Sequence, residues 1–158
     1  MKKKIEEQLI QLWGKVGFIV NLSQMIEYNL ANILAFDELL REFDKRDSMF
    51  VFEFNEFADK ANVWYKTLES RALGVGIKRA EELGYFDVES QKRLSDMCKE
   101  RNYVIHSLFK DDLTKKHLET DPAFYFERLE NLIEEMSSIN EDLVKIFAKQ
   151  KEEYKLIW

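Results

Sequence analysis

The sequence contains little proline, glycine or cysteine, and the shortage of turn residues excludes whole classes of fold. One proline and five glycines in 158 residues are too few for a sandwich or barrel, because those folds turn roughly every 8–12 residues. With 46% hydrophobic and 34% charged residues, the chain is neither disordered nor collagen-like and can bury a core. The length favours a single domain over residues 1–158. We therefore expect an all-α fold.

Cysteine and long apolar runs are equally scarce. Cys98 is the single cysteine, so it cannot form an internal disulfide, and we expect a buried thiol in a reducing compartment. The uncharged stretch 16–26 is about half of the roughly 20 residues that a membrane-spanning helix needs. Glu6 and Glu7 follow the N-terminal lysines before any apolar run of a signal peptide begins. These features predict a soluble, cytoplasmic protein without membrane contact.

The charge is unevenly distributed along the chain. A net charge of −6 and a pI near 5.1 argue against nucleic acid as a partner of the whole surface. Residues 91–117, however, contain seven basic and four acidic side chains, a net charge of +3. Such a region is compatible with a polyanionic ligand at one site, and it is also common on surfaces that bind nothing.

Apolar residues spaced by three and four predict an up-and-down bundle of about five helices. In the first helix, Gly14 and Gly17 are the expected places for a kink or for the close approach of a neighbour. Gly84 is a typical C-terminal stop, Asp87 a typical N-cap, and Asp121 before Pro122 a second start signal. The predicted helices span residues 5–43, 58–73, 72–83, 88–109 and 122–151.

The helix predicted over 88–109 has a charged residue in its apolar stripe, where Arg101 stands between Cys98 and Ile105. A guanidinium group cannot lose its charge, so burying it without a partner is costly. Arg101 is therefore expected to face a carboxylate, a cleft, a subunit interface or an anionic ligand.

His106 and Asn102 lie close to Arg101 on the same helix. His106 follows Arg101 by five residues, which is roughly 7.5 Å along the axis, and Asn102 shares its face. Arginine binds phosphate through paired donors, and histidine transfers protons near neutral pH. The alternative is an arginine–glutamate interface pair beside an ordinary half-buried histidine.

The second histidine, His117, follows two lysines in a polar connector, where a solvated surface residue is expected. Neither histidine has the spacing of a zinc peptidase or di-iron site, so we expect no metal site.

The segment 99–106, KERNYVIH, resembles the signature of the HEPN superfamily. In that signature an arginine, a polar residue and three further residues precede a histidine on a late helix of an all-α bundle. The order of elements over roughly residues 66–150 is also similar to that of single-domain bacterial HEPN proteins.

The resemblance implies a metal-independent endoribonuclease without cofactor, of a kind often found as toxins or in phage defence. It implies a homodimer in which Arg101 and His106 of two subunits form the catalytic residues of a shared cleft, with Asn102 as supporting residue. Lys99 and Lys110 are the expected substrate-binding residues. An antitoxin or other partner protein is a further expectation. The alternative is a non-catalytic helical dimerisation module or an RNA- or nucleotide-binding module, because some HEPN proteins have no catalytic role.

Overall fold

The computed structural model describes residues 2–44, 59–60, 62–63, 65–66, 72–110 and 112–155, and every regular element in these ranges is helical. This confirms the predicted all-α bundle. A 3-10 helix, Pro122–Tyr125, precedes the last α-helix, and residues 59–60, 62–63 and 65–66 are also helical. The α-helices with defined bounds are α1 (Lys2–Asp44), α2 (Leu73–Leu83), α3 (Val88–His106), α4 (Asp112–Thr120) and α5 (Phe126–Lys155).

Helix α1 runs without interruption past both glycines. Its 43 residues make it about 65 Å long at ~1.5 Å per residue. The helix is not broken at Gly14 or Gly17. The predicted close approach of a neighbouring helix is not found in the described part of the chain, where a Cβ atom at either glycine would meet no neighbouring atom within 4 Å.

Helix α1 is apolar on both its buried and its exposed sides. Between residues 8 and 36 only Lys15 and Glu27 carry a charge. The apolar spacing of three and four in the sequence therefore accounts for the buried inner face of α1, but the outer face is not correspondingly charged. The inner face is fully buried at Leu12, Ile19, Ile26, Leu30, Ile33 and Leu34, whereas Ile10, Trp13, Phe18, Val20 and Met25 are exposed.

The core lies mainly between α1 and α5, with α2 and α3 packed beside them. The periodic face of α5 is buried at Leu129, Met136 and Leu143 as the sequence predicts. A buried amide pair crosses this interface, where Asn29 Nδ2 donates to Asn140 Oδ1 at 2.9 Å.

Helix α2 approaches α1 closely at Gly76. A Cβ atom on this residue would stand 3.2 Å from Leu30 Cδ2, so a larger residue would require the Leu30 side chain or the helix to shift by a few tenths of an ångström.

The chain turns between α2 and α3 as the sequence predicts. Gly84 adopts the left-handed conformation with φ 59° and donates its N–H to carbonyls of the last turn of α2, a conformation that glycine adopts without penalty. The Asp87 carboxylate accepts the Ser90 N–H at 2.7 Å, which lowers the pKa of Asp87 below its ordinary value. Helix α3 ends at His106, three residues before the predicted end.

The segment between α3 and α5 differs most from expectation. Residues 112–120 form α4, where a polar connector is predicted. Asp121 makes no capping bond, and Pro122 begins a 3-10 turn instead of the α-helix. His117 is half-buried rather than solvated, because its Nδ1 lies 3.2 Å from the Tyr125 hydroxyl and its ring packs on Phe124.

Half of the predicted helix over 58–73 lies outside the described residues, and residues 59–60, 62–63 and 65–66 within it are helical. In the ranges that are described, no helix has a stretch long and apolar enough to cross a membrane.

Candidate active site

Arg101, Asn102 and His106 line one cleft of about 530 Å³ between α3 and the start of α2. Helix α3 also contributes Tyr103, and Ser107 lies just beyond its end. Residues 72–75 form the opposite wall. The three side chains of the motif therefore face one common space.

The guanidinium group of Arg101 is held in place by two uncharged oxygen atoms. Its Nε donates to Ser23 Oγ at 3.0 Å, and its Nη1 donates to Asn102 Oδ1 at 2.9 Å. The Ser23 hydroxyl donates in turn to the Ile19 carbonyl at 2.8 Å. The Arg101 side chain is 17% exposed, so the group is fixed in direction but still reaches the cleft.

A carboxylate lies near Arg101 without a hydrogen bond to it. Glu27 Oε1 stands 3.8 Å from Arg101 Nη2, which is too long for a hydrogen bond. The same oxygen accepts the Leu73 N–H at 3.2 Å. That N–H belongs to the first turn of α2, whose N-cap, Ala72, has no side chain to accept it. Glu27 thus completes the start of α2 and supplies a negative charge beside the guanidinium group.

His106 is the last residue of α3 and is exposed. Among the described residues, nothing forms a hydrogen bond or an ion pair with its imidazole ring. Both ring nitrogens are therefore available for proton transfer to a ligand in the cleft.

Asn102 connects the cleft to the core through Cys98. Its Nδ2 lies 3.8 Å from the Cys98 sulfur, a weak contact that directs the amide oxygen towards Arg101. Cys98 is buried as predicted, and burial raises the pKa of its thiol. The thiol is therefore protonated at neutral pH and acts as a packing group, not as a nucleophile.

The two predicted lysines lie outside the cleft lining. Lys99 is 79% exposed and lies 3.4 Å from Asp96. Lys110 is exposed in the turn that follows α3. The structure brings together Arg101, Asn102 and His106 but does not place Lys99 or Lys110 with them.

A second groove, of about 660 Å³, lies between α3 and α5. Its arginines are already paired, Arg93 with Glu135 and Arg128 with Glu100. The Arg128 guanidinium also lies 4.2 Å from the centre of the Tyr103 ring. The arginines of this groove form direct hydrogen bonds with carboxylates, whereas Arg101 forms none with Glu27.

Sequence reasoning did not identify Ser23, Glu27 or residues 72–75 as parts of the site. Ser23 and Glu27 precede Arg101 by more than seventy residues, so no local spacing connects them. The one available signal is that Glu27 is one of only two charges in the middle of α1.

Across the described ranges, no three His, Cys, Asp or Glu side chains are grouped closely enough to hold a metal ion. In comparisons with known proteins, no family model, no curated protein and no solved structure matches the chain. The resemblance to the HEPN superfamily therefore rests on the motif itself and on the order of the surrounding helices.

Proposed function

We propose that the chain is a metal-independent endoribonuclease of the HEPN type, with Arg101 and His106 as its catalytic residues. The observation that carries this proposal is the cleft that these two side chains share. It combines a guanidinium group oriented by Ser23 and Asn102 with an exposed imidazole ring. The imidazole ring can transfer protons in the cleavage of a phosphodiester, and the guanidinium group can stabilise the charge that develops on its oxygens.

The chemistry proceeds through the ribose 2′-hydroxyl of the RNA. The hydroxyl attacks the adjacent phosphorus, so the nucleophile is already part of the substrate. His106 takes the proton of the hydroxyl, or gives a proton to the leaving 5′-oxygen. Arg101 stabilises the negative charge that develops on the phosphorane oxygens. The products carry a 2′,3′-cyclic phosphate and a 5′-hydroxyl.

A homodimer supplies the second histidine, so that one ring acts as base and the other as acid. The exposed side of α1 supports this part of the proposal. Trp13, Val20 and Glu27 follow each other at intervals of seven residues and therefore lie on one side of α1. Trp13 and Val20 are exposed, and Glu27 adjoins Arg101. The exposed apolar side chains of Trp13 and Val20 thus lie on the same side of α1 as Glu27, which adjoins the cleft.

Cleavage of end-labelled RNA in the presence of a chelator tests the proposal. We expect His106→Ala and Arg101→Ala each to lower the rate by about 10²–10⁴-fold, the range typical for loss of a catalytic acid, base or oxyanion donor. His117→Ala is the matched control, because this histidine packs against Tyr125, away from the cleft lining. The end groups of the products identify the mechanism. Equal cleavage by wild type and His106→Ala would overturn the proposal.

The second candidate is a non-catalytic dimerisation or RNA-binding module. The bond from Arg101 to Ser23 favours it, since this bond joins α3 to α1 and gives the arginine a structural role. This candidate predicts RNA binding without cleavage, and an altered oligomeric state in Arg101→Ala.

If the nuclease acts on the RNA of its own cell, the protein is a toxin. This role predicts growth arrest on expression that His106→Ala relieves, and an antitoxin that covers the cleft or blocks the dimer.

A further inference from the structure

We infer that Glu27 is an internal counter-charge that weakens the binding of phosphate groups in the Arg101 cleft. Its carboxylate lies close enough to Arg101 to offset the positive charge, yet it does not orient the guanidinium group. The inference rests on the proposed function in one respect, namely that the ligand of the cleft carries phosphate.

The orientation of the Arg101 guanidinium group depends on its hydrogen bonds to Ser23 and Asn102 and not on the charge of Glu27. Ser23 and Asn102 accept from two different nitrogens of the guanidinium group, at 3.0 and 2.9 Å. These two bonds fix its plane. The Glu27 oxygen lies 3.8 Å from the third nitrogen, where it contributes Coulomb attraction and no directional bond.

Glu27 is held at this position by a bond that does not involve the arginine. The Leu73 N–H donates to Glu27 Oε1 at 3.2 Å, and the positive end of the α2 dipole favours a carboxylate there. Because this bond is independent of Arg101, the negative charge stays beside the cleft when a phosphate group enters. The incoming anion is then repelled by Glu27 while it is attracted by Arg101.

The charges that line the cleft lead to the same conclusion. Among the described residues that line the cleft, Arg101 is the one permanent cation, and Glu27 stands next to it. Lys99 and Lys110 do not line the cleft. A single phosphate group therefore meets little net positive charge in the cleft. A ligand with further contacts, such as an RNA strand, binds in preference to free phosphate.

The variant Glu27→Gln removes the charge of this side chain and keeps its size. Glutamine retains an oxygen that accepts the Leu73 N–H and removes the negative charge. The probes are a 2′-O-methylated RNA oligonucleotide, which has no nucleophile and cannot be cleaved, and inorganic phosphate. We expect Glu27→Gln to bind both about threefold to fivefold more tightly at low salt, as for a partly exposed charge pair. The gain decreases as salt screens the charge.

Glu130→Gln is the matched control. It makes the same change in net charge at an exposed ion pair with Lys15, and Glu130 does not line the cleft. Its affinity for both probes is expected to stay within twofold of wild type. Adding Arg101→Ala to Glu27→Gln is expected to abolish the gain, because the interaction partner is then missing.

The outcomes separate this inference from the proposed function. Unchanged or weaker binding by Glu27→Gln overturns the inference, and so does loss of folding in a thermal melt, because the carboxylate would then be structural. Cleavage by wild type together with unchanged binding by Glu27→Gln leaves the nuclease and removes the inference. Tighter binding by Glu27→Gln without any cleavage by wild type supports the inference and removes the nuclease.

Discussion

Asp87 stabilises the start of α3 through its ionised carboxylate. Its oxygens accept both the backbone N–H and the hydroxyl of Ser90. These bonds favour the charged form and lower the pKa of Asp87 from its ordinary value of 3.8. A carboxyl group whose pKa is lower in the folded protein stabilises the fold above its ordinary pKa, and this stabilisation is lost as the pH falls through the lowered value.

We therefore expect Asp87→Ala to lower the melting temperature at pH 7, whereas Asp87→Asn, which keeps a capping oxygen, lowers it less. The difference between wild type and Asp87→Asn should begin to shrink near the ordinary pKa of 3.8, where the unfolded chain takes up the proton, and should disappear as the pH falls through the lowered pKa of the folded protein. Melting curves by circular dichroism between pH 3 and 7 measure both effects. A difference that stays constant over this range would contradict the role of the charge.

The two histidines illustrate how far single residues are predictable. Part of the environment of His106 lies on its own helix, since His106 lines one cleft with Arg101 and Asn102. The environment of His117 depends on Tyr125, which a 3-10 turn brings back to it. Sequence spacing contains no information on that contact, so the prediction of a solvated residue was wrong.

At the scale of elements, a buried amide pair joins the two longest helices. Asn29 and Asn140 are 7% and 8% exposed and are hydrogen-bonded to each other across α1 and α5. Removing one partner leaves the other amide buried without a partner, which costs the desolvation of that group.

We expect Asn140→Ala to lower the free energy of unfolding by about 1–3 kcal/mol, the usual cost of an unsatisfied buried polar group. The double variant Asn29→Ala/Asn140→Ala should lose less than the sum of the single changes. Urea unfolding measures all three variants. Asn131→Ala, at an exposed position of α5, is the control and should be close to neutral. Additive losses in the double variant would contradict the coupling.

The elements that were predicted correctly are those with strong local signals. Helices α1 and α5 have long apolar periods, and α2 and α3 have a glycine stop and an aspartate cap. Helix α4 was missed because its nine residues include only two apolar side chains, Leu113 and Leu118, which share no helical spacing. The prediction that Asp121 caps the last α-helix is wrong because the chain forms a 3-10 turn there.

At the scale of the whole molecule, the uncharged outer side of α1 is the surface at which we expect two copies to associate. The proposed homodimer requires a surface that a second copy can bury, and a face with exposed aromatic residues and little charge favours association. Trp13 is 56% exposed on this side.

We expect Trp13→Glu to convert a dimer into a monomer and to abolish RNA cleavage, because a buried charge opposes association. Light scattering after size exclusion measures the mass. Val88→Glu is the control, since Val88 is also exposed but begins α3, and it should leave mass and cleavage unchanged. A wild-type monomer, or a dimer that persists in Trp13→Glu, would contradict this assembly.

The contact between Gly76 and Leu30 has a consequence for the width of the cleft. Residues 72–75 form one wall of the cleft, and they immediately precede Gly76, which rests directly on α1. A methyl group at position 76 would require the tip of the Leu30 side chain or the start of α2 to shift by a few tenths of an ångström. The absence of a side chain one helical turn away thus allows this wall of the cleft to lie as close to α1 as it does.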